Sequence, residues 1–166
     1  MDFNSQIAWL AGFVDGDGSI NAQIVFRSDY KLRYQVRVTL TLFQSTQRHH
    51  ILLYIQKLLR SGVVRKRNDG MSEFCITGAK QLKEALLLLL PHLKLKKRQA
   101  TLVLQIIEKL PHTKDVFVLL EACAIVDKVG LLTDGKKRTQ KSDQVLETLR
   151  SLGLYPPSHQ CTHVTE

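Results

Sequence analysis

Two carboxylates stand one glycine apart in Asp15-Gly16-Asp17-Gly18, directly after a stretch, Ser5 to Val14, that reads as a helix. A helix ends in free carbonyl oxygens and the negative pole of its dipole, so an aspartate there is unfavourable unless a cation joins it. Asp17 with the backbone carbonyl of Gly16 is therefore a hard-oxygen site suited to Mg²⁺. Two plainer readings stand beside this one. Asp and Gly are also the usual residues of a turn that stops a helix. The same four residues open like a calcium loop, but a loop starting at Asp15 needs a carboxylate at its twelfth position, where Phe26 stands. Upstream, Ala8, Ala11 and Gly12 set small side chains on one side of the helix, which lets a second helix approach closely.

Other metal-binding types are scattered. His49 and His50 are adjacent on a helix and face different directions, so they do not form a site together. His159, Cys161 and His163 lie in a tail and need ligands from elsewhere to hold zinc. Cys75, Cys123 and Cys161 are odd in number and show no C-x-x-C spacing, so neither a disulfide framework nor a zinc site follows.

The elements that position the acidic turn follow from hydrophobic periodicity. Asn4 or Ser5 is a candidate cap for the first helix, and the two glycines are expected to end it. Ile20, Ala22 and Ile24 then alternate with Asn21, Gln23 and Val25, a strand with one buried face. After a turn at Arg27-Ser28-Asp29, Tyr34, Val36, Val38, Leu40 and Leu42 alternate with Arg33, Gln35, Arg37, Thr39 and Thr41. The second face is long, polar and basic, without an acidic residue; an ordinary wet sheet face remains the plain reading. A helix from Thr46 or Ser45 to Arg60 closes at Gly62, and a second hairpin turns at Asn68-Asp69-Gly70. Helices follow over Ala79 to Leu90, Leu95 to Leu110 and Lys114 to Val129, broken by Pro91, Pro111 and Gly130. Ser142 is placed to cap a last helix to Leu152.

The fold class is thus α+β, in the order αββαββα with extra C-terminal helices. Its curved four-stranded antiparallel sheet carries helices on one face, and a basic sheet face left open can lie along a DNA major groove. Residues 1–153 form the domain and residues 154–166 a loose tail.

Composition narrows the partners. Twenty-four basic against 15 acidic residues give a net charge of +9, which suits an anionic partner, nucleic acid or an acidic membrane surface. Hydrophobic residues make up 44%, enough for a core. The longest apolar run, Ala85 to Leu90, stops at Pro91, far short of the roughly 18 residues of a span. The start, Met1-Asp2-Phe3-Asn4, lacks the pattern of a secretory signal.

Leu10 through Gly18 resembles the motif of the LAGLIDADG homing endonucleases. From about Trp9 to Leu152 the order of elements is similar to the single-motif branch found in algal organelle introns, such as that of a Chlamydomonas chloroplast. Local matches include Ala22-Gln23-Ile24, Thr46-Gln47-Arg48, Leu93-Lys94-Leu95-Lys96 and Gln99-Ala100. Val126-Asp127-Lys128-Val129-Gly130 does not repeat the motif, so the resemblance implies a homodimer whose motif helices pack across a two-fold axis through Ala8, Ala11 and Gly12. It implies Asp17 and Gly16 as the metal site. It implies Gln44, Arg48 and Lys96 as the polar residues that order water and balance charge around the scissile phosphates.

The cofactor implied is Mg²⁺, with Mn²⁺ or Ca²⁺ able to substitute for binding. The partner implied is double-stranded DNA with a long pseudo-palindromic site, cut across the minor groove to leave short 3′ overhangs, with no membrane and no small-molecule substrate. The location implied is a chloroplast or mitochondrion, encoded in an intron. Alternation and resemblance together select a DNA-facing set: Asn21, Gln23, Val25, Arg27, Arg33, Gln35, Arg37, Thr39, Thr41, Arg65, Arg67, Glu73 and Cys75. Lys136, Lys137, Arg138 and Lys141 read as phosphate clamps. The alternative is a non-cleaving relative, an intron RNA maturase or a DNA-binding protein. A basic RNA-binding structural protein is a further rival, but it needs neither the small-residue helix nor the acidic pair.

Overall fold

The computed structural model describes residues 1–135 and 138–157. The chain runs α1 (Phe3–Asp17), β1 (Gly18–Phe26), β2 (Tyr34–Ser45), α2 (His49–Leu59), β3 (Val63–Lys66), β4 (Met71–Ile76), α3 (Ala79–Leu89), α4 (Lys97–Lys109), α5 (Val116–Leu131) and α6 (Ser142–Ser151). The four strands form one antiparallel sheet in the order β1-β2-β4-β3. Two hairpins therefore meet along β2 and β4, and the αββαββα order with added C-terminal helices is as the sequence predicts.

Helix α1 is longer at both ends than its periodicity suggests. Asp2 is its cap, accepting the Ser5 amide at 2.8 Å, worth about 1 kcal/mol. At the far end the helix does not stop at the first glycine but continues through Gly16 to Asp17. Contacts from far along the chain hold that last turn in place, and local turn propensity does not see them.

Strand alternation sorts the sheet into a core face and an open face. Ile20, Ala22 and Ile24 on β1, Val36, Val38, Leu40 and Leu42 on β2, and Phe74 and Ile76 on β4 are buried. Leu10 and Val14 of α1, Leu52 and Ile55 of α2 and Leu82 and Leu86 of α3 pack over them. The core continues through Val103, Ile106, Leu119, Val126, Val145 and Leu149 of the last three helices. Each such side chain contributes roughly 1.5–3 kcal/mol on burial. Cys123 lies in this core, and burial pushes its thiol up to about 12. At the exit of α2, Gly62 sits at φ +89, where a Cβ would run into the Phe74 ring.

Several boundaries differ from expectation for identifiable reasons. Arg33 is not part of β2. It closes the β1–β2 turn at φ 64, bonded through its amide to the Tyr30 carbonyl at 3.0 Å, and its guanidinium donates to the Ser28 carbonyl. Ser45 caps a short 3-10 turn, Thr46–Arg48, before α2 begins. Helix α5 passes through Gly130 to Leu131. Ser142 is not the cap of α6: Asp127 accepts from its amide at 3.1 Å and its hydroxyl at 2.5 Å, tying α6 to α5. The segment after α6 is packed as far as Tyr155, whose ring meets Phe117 at 5.8 Å and lies under Arg150. His159, Cys161 and His163 lie outside the described residues. No helix among the described residues is long and apolar enough to cross a membrane.

Candidate metal centre and nucleic-acid interface

The end of α1 is assembled by three separate segments. Asp15 binds the segment just before α4, its carboxylate accepting the amides of Lys94 at 2.7 Å and Lys96 at 2.9 Å. Burial raises the Asp15 pKa. The amides of Lys94, Lys96 and Leu95 and the Lys96 charge outweigh that, and the carboxyl sits below its ordinary range. The Lys96 ammonium caps the helix, donating to the carbonyls of Val14 at 2.9 Å and Asp15 at 2.7 Å. Asp15 is thus a structural acid, and the favourable cation at this helix end is in part a lysine.

Asp17 has a different setting. It is exposed, and its one side-chain partner among the described residues is the amide of Gln44, which donates to Oδ2 at 3.2 Å. Gln44 is nearly buried at the end of β2, and its Oε1 accepts from Arg48 at 3.3 Å. Arg48, Gln44 and Asp17 form one chain of polar contacts, so three of the residues selected from the sequence stand together. Lys96 joins them through the helix end rather than through Asp17 itself.

The donor set fits a hard divalent ion, because an exposed carboxylate at a helix end is a site of negative potential built from oxygen. One chain does not complete a coordination shell. Among the described residues no three His, Cys, Asp or Glu side chains cluster. The remaining ligands have to come from backbone carbonyl, water, a second copy's Asp17 or phosphate oxygens.

Exposure along α1 shows where a second copy fits. Ala8, Trp9, Gly12 and Gly16 are exposed, and Gly12 and Gly16 have nothing within 4 Å of an added Cβ. Two helical glycines each cost about 1 kcal/mol relative to alanine and serve no packing within the chain. A second helix laid close against them supplies the reason. Ala11 is a correction to the sequence reading: it is fully buried and shares the core stripe with Ile7, Leu10 and Val14. At 3.6 residues per turn, Ala8 and Gly12 fall on one line and Ala11 on the neighbouring one. Beside the glycine line, Trp9 stacks on Phe13 at 5.6 Å and meets Tyr54 at 5.7 Å.

The open face of the sheet carries the polar set. Register places Val25 opposite Gln35, Gln23 opposite Arg37 and Asn21 opposite Thr39. Thr41 stands beside Cys75, its Oγ1 3.6 Å from the thiol. Gln35 Oε1 accepts from both Arg27 and Arg37, at 3.4 and 3.3 Å, which leaves its NH₂ as the group free to donate outward. Arg27 is also paired with Asp29 at 3.0 Å. Arg65 is exposed but anchored, its Nη2 2.8 Å from the largely buried Glu73 carboxylate. Arg67 pairs with Asp69 at 2.8 Å and lies over the Phe43 ring. Carrying the alternation one step further at each end would have added Ser19 and Phe43 to the face.

Arg138 is held rather than free, donating to the Asn21 side chain at 2.5 Å and to the Ala22 carbonyl, beside a cleft of about 450 Å³ at the β1 edge. Desolvation lowers its pKa. Lys141 is exposed. Lys136 and Lys137 lie outside the described residues.

A family model described as LAGLIDADG endonuclease matches residues 10–104, more than half of the chain. The DNA endonuclease I-CvuI of Chlorella vulgaris is 65% identical over 154 residues, covering 92% of this chain and 96% of that protein. The DNA endonuclease I-CreI of Chlamydomonas reinhardtii is 43% identical over 149 residues, 88% of this chain and 90% of that one. The crystal structure of I-CvuI with its target DNA in the presence of Ca superposes with a TM-score of 0.89 at 64% identity, covering 91% and 96%. An archaeal intron-encoded homing endonuclease, I-Vdi141I, shares the fold at a TM-score of 0.83 and 16% identity, covering 92% and 99%.

Proposed function

The chain belongs to the LAGLIDADG endonuclease family, and from that premise we propose that it is a site-specific DNA endonuclease acting as a homodimer with Mg²⁺. The observation that carries this reading is the Arg48–Gln44–Asp17 chain of contacts at the end of a helix whose exposed line is glycine. A protein that only binds nucleic acid has no use for an exposed carboxylate at a helix end, where it repels phosphate.

Two copies related by a two-fold axis through the line of Ala8, Gly12 and Gly16 bring two Asp17 carboxylates near each other. Like charges at that distance favour a divalent ion between or beside them. When bound, Mg²⁺ supplies Lewis-acid stabilisation of a phosphorane-like transition state and lowers the pKa of water. Asp17 and the Gly16 carbonyl would hold it. Gln44 orients the Asp17 carboxylate and is positioned to hydrogen-bond an attacking water. Arg48 offers donors to a phosphate oxygen on which charge builds. Lys96 neutralises the helix end and keeps the acidic turn in register.

The open face is the DNA-reading surface. Arg37, Gln35, Gln23, Asn21 and the anchored Arg65 present donors to base edges in the major groove, with Thr39, Thr41, Val25 and Cys75 contacting methyl groups and backbone. Lys136, Lys137 and Lys141 add phosphate contacts that carry affinity and not sequence. A two-fold dimer calls for a pseudo-palindromic target, and the resemblance to the single-motif branch supports a minor-groove cut with short 3′ overhangs. Mn²⁺ and Ca²⁺ substitute for binding. The relatives from Chlorella and Chlamydomonas support an intron-encoded origin in a chloroplast or mitochondrion.

Plasmid libraries of intron-homing sites, incubated with Mg²⁺ beside Asp17→Asn, test the reading. Metal-dependent double-strand cuts at one long site, lost in the variant, are the expected result. Salt-sensitive binding to DNA or intron RNA without any cut sinks it in favour of a binder or maturase.

A further inference from the structure

Beneath the residues that face Asp17 lies a second polar chain that the proposed cleavage step does not use. Ser72, on the core face of β4, is completely buried although it carries a hydroxyl. Its Oγ donates to Thr46 Oγ1 at 3.4 Å and lies 2.9 Å from His49 Nδ1. A serine hydroxyl has one proton. With that proton given to Thr46, the oxygen would accept from the imidazole, an arrangement that requires the hydrogen on Nδ1 of His49. Burying a hydroxyl without partners costs about 1–3 kcal/mol, and these two contacts are what satisfy Ser72 in the core.

The placement of this chain gives it a role. Thr46 opens the 3-10 turn Thr46–Arg48, and His49 is the first residue of α2. Arg48 stands between them and makes no side-chain cap bond to the helix it precedes. Gln44 pairs directly with Ser72 in the sheet register, and the Thr46 amide donates to the Gly70 carbonyl at 2.9 Å. The segment from Gln44 to His49 is thereby fastened to β4 by sheet pairing at one end and two side chains at the other. Gln47 and Arg48 are the exposed residues inside that fastening, and the Arg48 guanidinium reaches Gln44 Oε1.

We propose that the Thr46–Ser72–His49 chain positions the Gln44–Arg48 pair against Asp17, with His49 and Ser72 as positioning residues of the cleavage reaction. An inward bond on each side of Arg48 sets the direction in which its backbone delivers the guanidinium. Without the Ser72 hydroxyl or the His49 donor, the turn keeps its sheet pairing but loses the clamp on its helical side, and Arg48 swings. Ser72 is fully buried and the His49 Nδ1 faces it, so DNA binding is expected to be unchanged.

The inference rests on the endonuclease reading, and its test separates the two. Wild type, His49→Ala, His49→Asn and Ser72→Ala are compared in single-turnover cleavage with Mg²⁺, in DNA binding with Ca²⁺, and by ¹⁵N NMR of the His49 ring and the Arg48 Nε–H. Asparagine carries an N–H on the same branch as Nδ1, so His49→Asn keeps the donor. The expected result is a cleavage rate reduced about 10- to 100-fold in His49→Ala and Ser72→Ala, with binding within a few-fold of wild type and His49→Asn near wild type. The His49 ring shows a protonated Nδ1, and the Arg48 Nε–H is ordered only where the bond between residues 49 and 72 is kept. Equal losses in binding and cleavage, a normal rate in His49→Ala, or no rescue by His49→Asn overturns the proposal. If wild type itself fails to cut, the endonuclease reading falls. The Arg48 signal then still decides the positioning: ordered in every variant overturns it, and loosened in His49→Ala and Ser72→Ala upholds it.

Discussion

At the residue scale the two aspartates of the motif have divided roles, and their substitutions separate them. Asp17→Asn removes the charge that a divalent ion needs and leaves the Gln44 contact able to re-form. Cleavage is expected to fall by at least about 100-fold while DNA affinity measured in Ca²⁺ stays near wild type. Asp15→Asn acts on the fold. Its carboxylate takes two amides from the segment before α4, so the variant loses about 1–2 kcal/mol at neutral pH. Because the Asp15 pKa is held below its ordinary value, its stabilisation is present above about pH 4 and is lost as pH falls through the folded-state value. Thermal melts in series from pH 7 to pH 3 should show the gap between wild type and Asp15→Asn closing at the acidic end. A gap that stays constant would locate the damage elsewhere.

Elements show how much of the molecule the sequence makes readable. Period-two alternation on β1 and β2 assigns every open-face residue correctly from Asn21 to Val25 and from Gln35 to Thr41, because a buried face fixes register. Ala11 is misassigned because small residues do not show which side of a helix they occupy; the Ile7, Leu10 and Val14 stripe decides that. Arg33 drops out of its strand because the turn, not the alternation, sets its backbone. The last turn of α1 and the grip of Arg138 on Asn21 depend on partners about 80 and 117 residues away in sequence, which no local pattern carries. One test belongs to this scale. Gly12→Leu has open space around it within the chain, so the monomer should stay folded by circular dichroism, with α1 stabilised by several tenths of a kcal/mol to about 1 kcal/mol. Sedimentation should find it monomeric, and it should not cut. A dimeric Gly12→Leu would place the interface on another surface.

For the whole molecule, the net charge of +9 includes both anchored and free cations. Arg65, Arg67 and Arg27 each face a carboxylate, which fixes their direction and lowers their share of the general attraction for phosphate. Lys141 is exposed and belongs to the basic loop. Lys141→Ala is expected to reduce the slope of log affinity against log salt by about 0.9 per site, with the ranking of target variants unchanged. Arg65→Ala is expected to change that ranking at one position in each half-site, costing about 1–3 kcal/mol against the preferred base. Competition assays across salt concentrations distinguish the two, and a reversed pattern would reverse the assignment of readers and clamps.

Trp9 is the chain's single tryptophan, and it is part-exposed beside the glycine line of α1, stacked on Phe13. The indole is therefore a native optical reporter of self-association. Its emission should shift to shorter wavelength as the protein is concentrated past its dissociation constant, and dilution should reverse the shift. In Gly12→Leu it should stay red at every concentration, so subunit affinity is measurable on the unlabelled enzyme, apart from DNA and metal.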